Sequence, residues 1–162
     1  MKGLNRIRRV LCIVFIVALL AVTAAPAFAA SNKNPGGAYI VTASRLNMRS
    51  GANGSIVRKL PKGTVVVYRS QSKGWWRVMC AAGTGYVDRR WLTSVNGYVG
   101  GNFATTVNLY VRSKASETSY ALGKLKKGTK VSVVKQKKSW VYVTYKGGSG
   151  WVSAKFLTKV YK

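Results

Sequence analysis

From residue 38 onward, apolar side chains recur mostly at every second position. In GTVVVYRS (residues 63–70) and GTKVSVVKQ (residues 128–136), β-branched residues run outward from a Gly-Thr start. WWRVMC (residues 75–80) and WVYVTY (residues 140–145) follow after polar turns marked by Gly or Ser, as in paired strands. AAGTGYV (residues 81–87) and KGGSGWV (residues 146–152) place glycines between short strands and predict tight hairpins. RRWLT (residues 89–93) and AKFLT (residues 154–158) predict a brief turn of helix leading into a last strand. Beyond the N-terminal region no stretch carries a 3.6-residue apolar stripe, so the pattern predicts an all-β protein. Several short strands in such short units suit small closed barrels, because closure removes exposed edges.

The pattern is written twice. Trp75/Trp140, Val78/Val143, Gly83/Gly148, Gly85/Gly150, Val87/Val152, Leu92/Leu157 and Thr93/Thr158 match at an offset of 65, while Tyr86/Trp151 and Trp91/Phe156 exchange one aromatic for another. Upstream, Leu46, Met48, Arg49 and Ser50 match Leu109, Val111, Arg112 and Ser113 at an offset of 63. The two-residue difference falls within residues 51–59, where a loop absorbs a length change that a strand would not. Residues 94–102, SVNGYVGGN, read as a short linker between copies.

The N-terminus has a different character. Lys2, Arg6, Arg8 and Arg9 precede an apolar stretch from Val10 to Val22, and Ala27 and Ala29 stand at A-x-A spacing. This three-part layout predicts a secretory signal peptide over residues 1–29, cleaved after Ala29, and hence a secreted, extracellular or wall-associated protein with no stable membrane span after cleavage. The chain has 28 basic and two acidic side chains, for a net charge of +26. Residues 1–29 carry four of the basic groups and neither acid, so cleavage leaves +22. Such an excess points to polyanionic surroundings. Cys80 is then the remaining cysteine, without a partner for an intramolecular disulfide, and on a strand it reads as a small core or edge residue.

These blocks carry a family resemblance. LNMRSGANGSIVRKLPKGTVVVYRSQSKGWWRVMCAAGTGYVDRRWLT (residues 46–93) resembles the bacterial SH3 (SH3b) domain, whose members read L-N-[VM]-R-S-G, L-x-K-G-[TD], G-W-x-x-V and G-x-x-G-W-V-x-x-x-[YFW]-L. The second copy matches through LYVRSKAS, LKKGTKVSV, SWVYV and GGSGWVSAKFL, with Tyr110 in place of the usual Asn, Lys114 in place of Gly, and Ser139 in place of the Gly before Trp140. The resemblance implies two tandem SH3-like β-barrels, at residues 37–94 and 101–160, and a binding module of the kind that attaches secreted or lytic proteins to cell wall peptidoglycan.

The chemistry agrees with binding. Without histidine the chain lacks the usual zinc ligand and the usual general base, so neither a metal nor a cofactor is expected. Asp88 and Glu117 stand at unrelated positions of the two copies, which argues against a paired-carboxylate hydrolase. Strand alternation in WWRV sets Trp75 and Arg77 opposite to Trp76 and Val78; the second copy keeps Trp140, with Tyr142 on its face, but has Val141 at the Trp76 position. Trp76 and Val78 are therefore expected in the core. Trp75 and Trp140 either floor a ligand groove or cover a barrel end, with Arg77, Asn47, Tyr142 and Tyr110 as further candidate contacts. Tyr86 and Trp151 are expected in the core. Arg49 and Arg112 suit a bond to the following loop as well as a ligand contact.

Basic residues divide unevenly. Residues 38–94 have seven Arg and three Lys, whereas residues 101–162 have one Arg and twelve Lys. Lys124, Lys126, Lys127 and Lys130 form a candidate polyanion contact, since ammonium groups suit loosely structured polyanions. The expected partners are peptidoglycan and anionic wall polymers. An extracellular nucleic-acid surface is the alternative, as is a module that docks on an acidic protein partner or a wall hydrolase.

Overall fold

The computed structural model describes residues 36–161; the expected signal peptide lies outside them. Each repeat is a seven-stranded antiparallel sheet. The first comprises β1 (Ala38–Val41), β2 (Arg45–Arg49), β3 (Ile56–Pro61), β4 (Val65–Ser72), β5 (Trp75–Cys80), β6 (Gly83–Asp88) and β7 (Leu92–Ser94), in the order β3-β2-β6-β5-β4-β1-β7. The second comprises β8 (Asn102–Thr105), β9 (Leu109–Arg112), β10 (Ala121–Leu125), β11 (Lys130–Lys137), β12 (Trp140–Tyr145), β13 (Gly148–Ser153) and β14 (Leu157–Lys159), in the equivalent order β10-β9-β13-β12-β11-β8-β14. Short 3₁₀ turns at Arg89–Trp91 and Ala154–Phe156 lead into β7 and β14, where brief helical turns were expected. Among the described residues no helix is long and apolar enough to cross a membrane.

Barrel closure, the expectation from strand number, is not what the hydrogen bonds make. Both sheets are open, with β3 and β7, or β10 and β14, as edges. Other devices blunt these edges. β3 presents Arg58, Lys59 and Pro61, and charge and proline both discourage further pairing. The edge of β14 meets the first repeat: Lys159 N donates to Gly63 O at 2.9 Å, and Thr158 bridges to Thr64.

Turn chemistry explains the hairpins. Lys73 and Gly74 both have positive φ (46° and 81°) in the two-residue link between β4 and β5, a geometry that matches strand twist. In the β11–β12 link only Lys138 (φ 53°) is positive, so Ser139 fits where the first repeat has glycine. Gly85 and Gly150 lie within strands instead of in the turns, and a Cβ there would collide with Met48 and Val111 of the neighbouring strand.

The segment between the sheets is built into the protein. Residues Val95–Tyr98 form a 3₁₀ turn whose Val95 is 1% exposed. One core cluster joins Ala38, Ile40, Val65, Val67 and Val95 to Phe103, Val131, Val143, Ala154 and Leu157, so the two repeats share it. A second cluster belongs to the first repeat, with Val41, Leu46, Met48, Leu60, Val66, Val78, Val87 and Leu92 around Trp76. Tyr39 and Tyr68 pack edge-on against Trp76, with ring centroids 4.9 and 5.0 Å away. Cys80 is buried, and burial pushes its thiol pKa up, which makes it a poor nucleophile. Ala81 N donates to Lys155 O, adding a backbone tie between repeats.

Candidate functional site

The two sheets carry equivalent grooves. In the first, β2 supplies Arg45, Leu46, Asn47 and Arg49, β5 supplies Trp75, and the end of β6 with its 3₁₀ turn supplies Asp88 and Trp91, around about 780 Å³. In the second, Asn108 precedes β9, which supplies Leu109, Tyr110 and Arg112; Trp140 comes from β12, and Ser153 and Phe156 from the end of β13 and its turn, around about 240 Å³. The offsets of 63 and 65 map one wall onto the other: Leu46 on Leu109, Asn47 on Tyr110, Arg49 on Arg112, Trp75 on Trp140, Asp88 on Ser153 and Trp91 on Phe156. Asn47 gives way to the larger Tyr110 and the second groove has the smaller volume, although it also gains Glu117 from the β9–β10 loop.

Strand alternation sets the groove floor. Trp76 and Val78 are buried as expected, at 8% and 0% exposure, and Trp75 is half-buried on the other face of β5. Trp140 is likewise half-buried, opposite Val141 and Val143 in the core. Arg49 serves two ends at once. Its Nη1 donates to Gly54 O at 2.8 Å, holding the β2–β3 loop, while its guanidinium carbon lies 5.6 Å from the Trp75 ring centre. Arg112 holds the longer β9–β10 loop through Ser119 O at 2.8 Å, and its guanidinium lies 5.4 Å from the Tyr110 ring. Such contacts fix a cation over an aromatic face at little entropic cost.

Of the residues expected to bind, Asn47 and Trp75 meet in the first groove and Tyr110 and Trp140 in the second. Arg77 and Tyr142, equivalent to each other, line neither. Arg77 is exposed between Ser70 and Tyr86. Tyr142 shares a hydroxyl hydrogen bond with Ser149 and packs edge-on against Trp151 at 5.4 Å, beneath the Lys135 ammonium at 5.2 Å. Tyr86 and Trp151 are half-buried on the outer sheet faces, outside the core clusters. Trp91, 50% exposed, went unnoticed as a groove residue, although its aromatic exchange with Phe156 directly after a turn is the signal that marks it.

Lys124, Lys126, Lys127 and Lys130 are all exposed, on and around the β10–β11 turn. The turn adjoins the second groove: Lys124 Nζ lies 5.3 Å from the Tyr110 ring centre, and Lys127 N donates to Asn108 Oδ1. In the first groove Asp88 accepts from Arg90 through both carboxylate oxygens, and this hydrogen bond is the main cause holding its carboxyl pKa below the usual range.

A model of the bacterial SH3 domain matches residues 44–93 and again residues 107–158, the two segments that build the two grooves. The chain belongs to the bacterial SH3 domain family. Bacterial SH3 domains thus make up most of the described residues. A relative from Bacillus subtilis (strain 168), named as an N-acetylmuramoyl-L-alanine amidase, YrvJ, is 29% identical over 146 residues. The match covers 79% of this chain but 28% of that protein, so the chain spans less than a third of its relative's length. Among solved structures, NlpC2 and NlpC1 from Trichomonas vaginalis align over 80% and 82% of this chain and 49% and 48% of theirs, at 12% and 13% identity. Both have a TM-score of 0.37, too low for a shared overall arrangement to follow.

Proposed function

We propose that this protein is a secreted, non-catalytic binder of bacterial cell wall polymers, with one wall-binding groove in each bacterial SH3 domain. The observation that carries the reading is the repetition of one groove wall, an aromatic floor beside a loop-anchored arginine and a second aromatic, in both domains. An aromatic face packs against a sugar ring or a peptide stem, and two linked sites on a polymeric ligand gain affinity through effective concentration. Peptidoglycan is the ligand of the grooves, and the lysine-rich β10–β11 turn contacts phosphate-bearing wall glycopolymers. Domain limits of 37–94 and 101–160, and release from a signal peptide after Ala29, complete the proposal.

The experiment is a pulldown of the protein on purified sacculi with and without wall teichoic acid, run beside a dye-release assay on labelled peptidoglycan. Binding to both walls, stronger on the teichoic-acid-bearing one, with no soluble dye released, is the expected outcome. Reproducible dye release by protein freed of contaminating hydrolases contradicts the non-catalytic reading. Absence of binding to either wall contradicts the wall reading.

A further inference from the structure

Between the repeats lies a further cavity, of about 340 Å³, that neither repeat forms alone. The first repeat supplies Arg58, Lys59 and Pro61 from the edge strand β3, with Ala81 and Ala82 from the β5–β6 turn. The second supplies Thr106, just after β8, and Lys155 of the 3₁₀ turn before β14. Main-chain bonds hold the two sides together: Ala81 N donates to Lys155 O at 3.0 Å, and Lys159 N to Gly63 O at 2.9 Å. The cleft is therefore a fixed feature of the junction.

Every charged residue that lines it is a cation. The chain's two acids line the two grooves instead, Asp88 in the first and Glu117 in the second. Among the described residues the one ion pair is that of Asp88 with Arg90, so Arg58, Lys59 and Lys155 share a cleft without a carboxylate to offset their mutual repulsion. Edge protection accounts for charge on β3, but Lys155 is not on a strand edge. Its repeat equivalent, Arg90, is matched by Asp88, whereas the second repeat has Ser153 in the place of that acid. Arg58 is paired with Met48, and at the equivalent pair Gly123 stands beside Val111. Both departures from the repeat add positive charge to the same cleft.

The charge continues beyond the cleft. Thr106 lines it, and the adjoining Thr105 anchors the lysine-rich turn: Thr105 Oγ1 donates to Lys126 O at 2.6 Å, and Gly128 N donates to Thr105 O at 2.8 Å. A basic track thus runs from β3 of the first repeat, past Lys155, to Lys126 and Lys127 of the second. No aromatic residue lines the cleft, so it offers no ring on which a nucleobase could stack. A flexible chain of phosphodiesters without bases asks only for cations along its path.

We infer that the cleft between the repeats is a phosphate site, in which Arg58, Lys59 and Lys155 hold one stretch of a polyol phosphate chain whose continuation lies on the β10–β11 turn. The inference rests on the proposal that this turn contacts phosphate-bearing wall polymers, and it adds a second site that exists only because the two repeats are joined.

The test follows the anisotropy of a fluorescein-labelled oligo(glycerol phosphate) bound by the full chain across a salt series. Replacing Arg58, Lys59 and Lys155 with glutamine should weaken binding at least about tenfold at low salt and flatten the slope of log K against log salt by about 2, at roughly 0.7 for each cation on a flexible polyanion. Ala82→Glu, a carboxylate added at an exposed position of the cleft, should also weaken binding, with urea melts showing that the variants are folded. Glutamine at Lys73, Lys137 and Lys138, which removes the same charge from two distant hairpins, should change the slope by less than half as much. Equal effects of the cleft and hairpin variants would mean that net charge alone attracts the chain, and would overturn the site. Single-stranded DNA with the same number of phosphates should bind no more tightly than the glycerol phosphate chain, and tighter binding that depends on the cleft would overturn the ligand class. Glutamine at Lys126 and Lys127 separates the two readings. If that variant loses binding and the cleft variant does not, the cleft assignment alone falls, and if the wild type binds no oligomer, the phosphate reading of the turn falls with it.

Discussion

Strands β4 and β11 are the same element in two copies, yet they bury different faces. On β4, Val65, Val66 and Val67 are all at 2% exposure or less. Their equivalents on β11 are Lys130, Val131 and Ser132, of which only Val131 is buried. Val66 packs in the first repeat's own cluster, while Val65 and Val67 join Val131 in the cluster that the two repeats share, which includes Ala154 of the 3₁₀ turn. At the turn before β4, Gly63 (φ 88°) has Lys159 O so near that a Cβ would sit 2.8 Å from it, whereas Gly128 at the matching turn is open. A duplicated unit has become asymmetric where one copy is covered by the other, and the outer faces record which one.

Exchanging residues between copies breaks this asymmetry most forcefully. Val65→Lys imports the Lys130 residue into the shared core and leaves an unpaired ammonium buried there, at a cost of roughly 3–5 kcal/mol. Lys130→Val on the exposed face should change stability by less than about 0.5 kcal/mol. Urea unfolding midpoints measure both, and comparable losses would mean that the repeats do not share a core. Next in size, Val78→Ala and Val143→Ala should each cost about 1–3 kcal/mol by leaving a cavity, the first in the cluster of the first repeat and the second in the shared cluster. Trp75→Ala and Trp140→Ala should cost less stability and weaken wall binding about tenfold or more each, the scale of an aromatic anchor. If the tryptophan variants unfold before the valine ones, these rings are core and the groove assignment is wrong.

A smaller effect separates the grooves from the lysine-rich turn. Replacing Lys124, Lys126, Lys127 and Lys130 with glutamine should flatten the salt dependence of binding to teichoic-acid-bearing walls, because fewer counterions are released, whereas Trp140→Ala should lower affinity at every salt concentration. Parallel losses in a salt series would merge the two surfaces into one. The smallest effect is that of pH on Asp88. Arg90 lowers its folded-state pKa, so its contribution to stability is complete above the unfolded-state value and is lost as pH falls through the depressed one. Asp88→Asn should therefore match the wild-type pH dependence between about pH 5 and 8 and diverge only in acid, as thermal melts from pH 2 upward would show.

Much of the architecture was legible in the sequence because the repeat tests every reading twice. Val141 at the position equivalent to Trp76 placed the core face of β5 and β12, and hence Trp75 and Trp140 on the other. Four features escaped. The VVV run of β4 departs from strict alternation because both its faces are buried, a pattern that continuous apolar strands share. Residues 94–102 look like a linker by composition, since Val95 is the one side chain there that is buried. Arg77 and Tyr142 share strand parity with the groove tryptophans, but alternation fixes a face and not a place along it, and the groove lies at the Trp75 end. The openness of the sheets was hidden for a similar reason: pairing between the first and last strands depends on sheet coiling, which the period of the pattern does not encode.

The central claim is that wall recognition resides in the two tryptophan-floored grooves. Co-sedimentation with teichoic-acid-stripped sacculi of the wild type, Trp75→Ala, Trp140→Ala and the double variant tests it most directly, with melting temperatures confirming that each is folded. The account predicts weakened binding in each single variant and near-complete loss in the folded double variant. Undiminished binding by the folded double variant would contradict it.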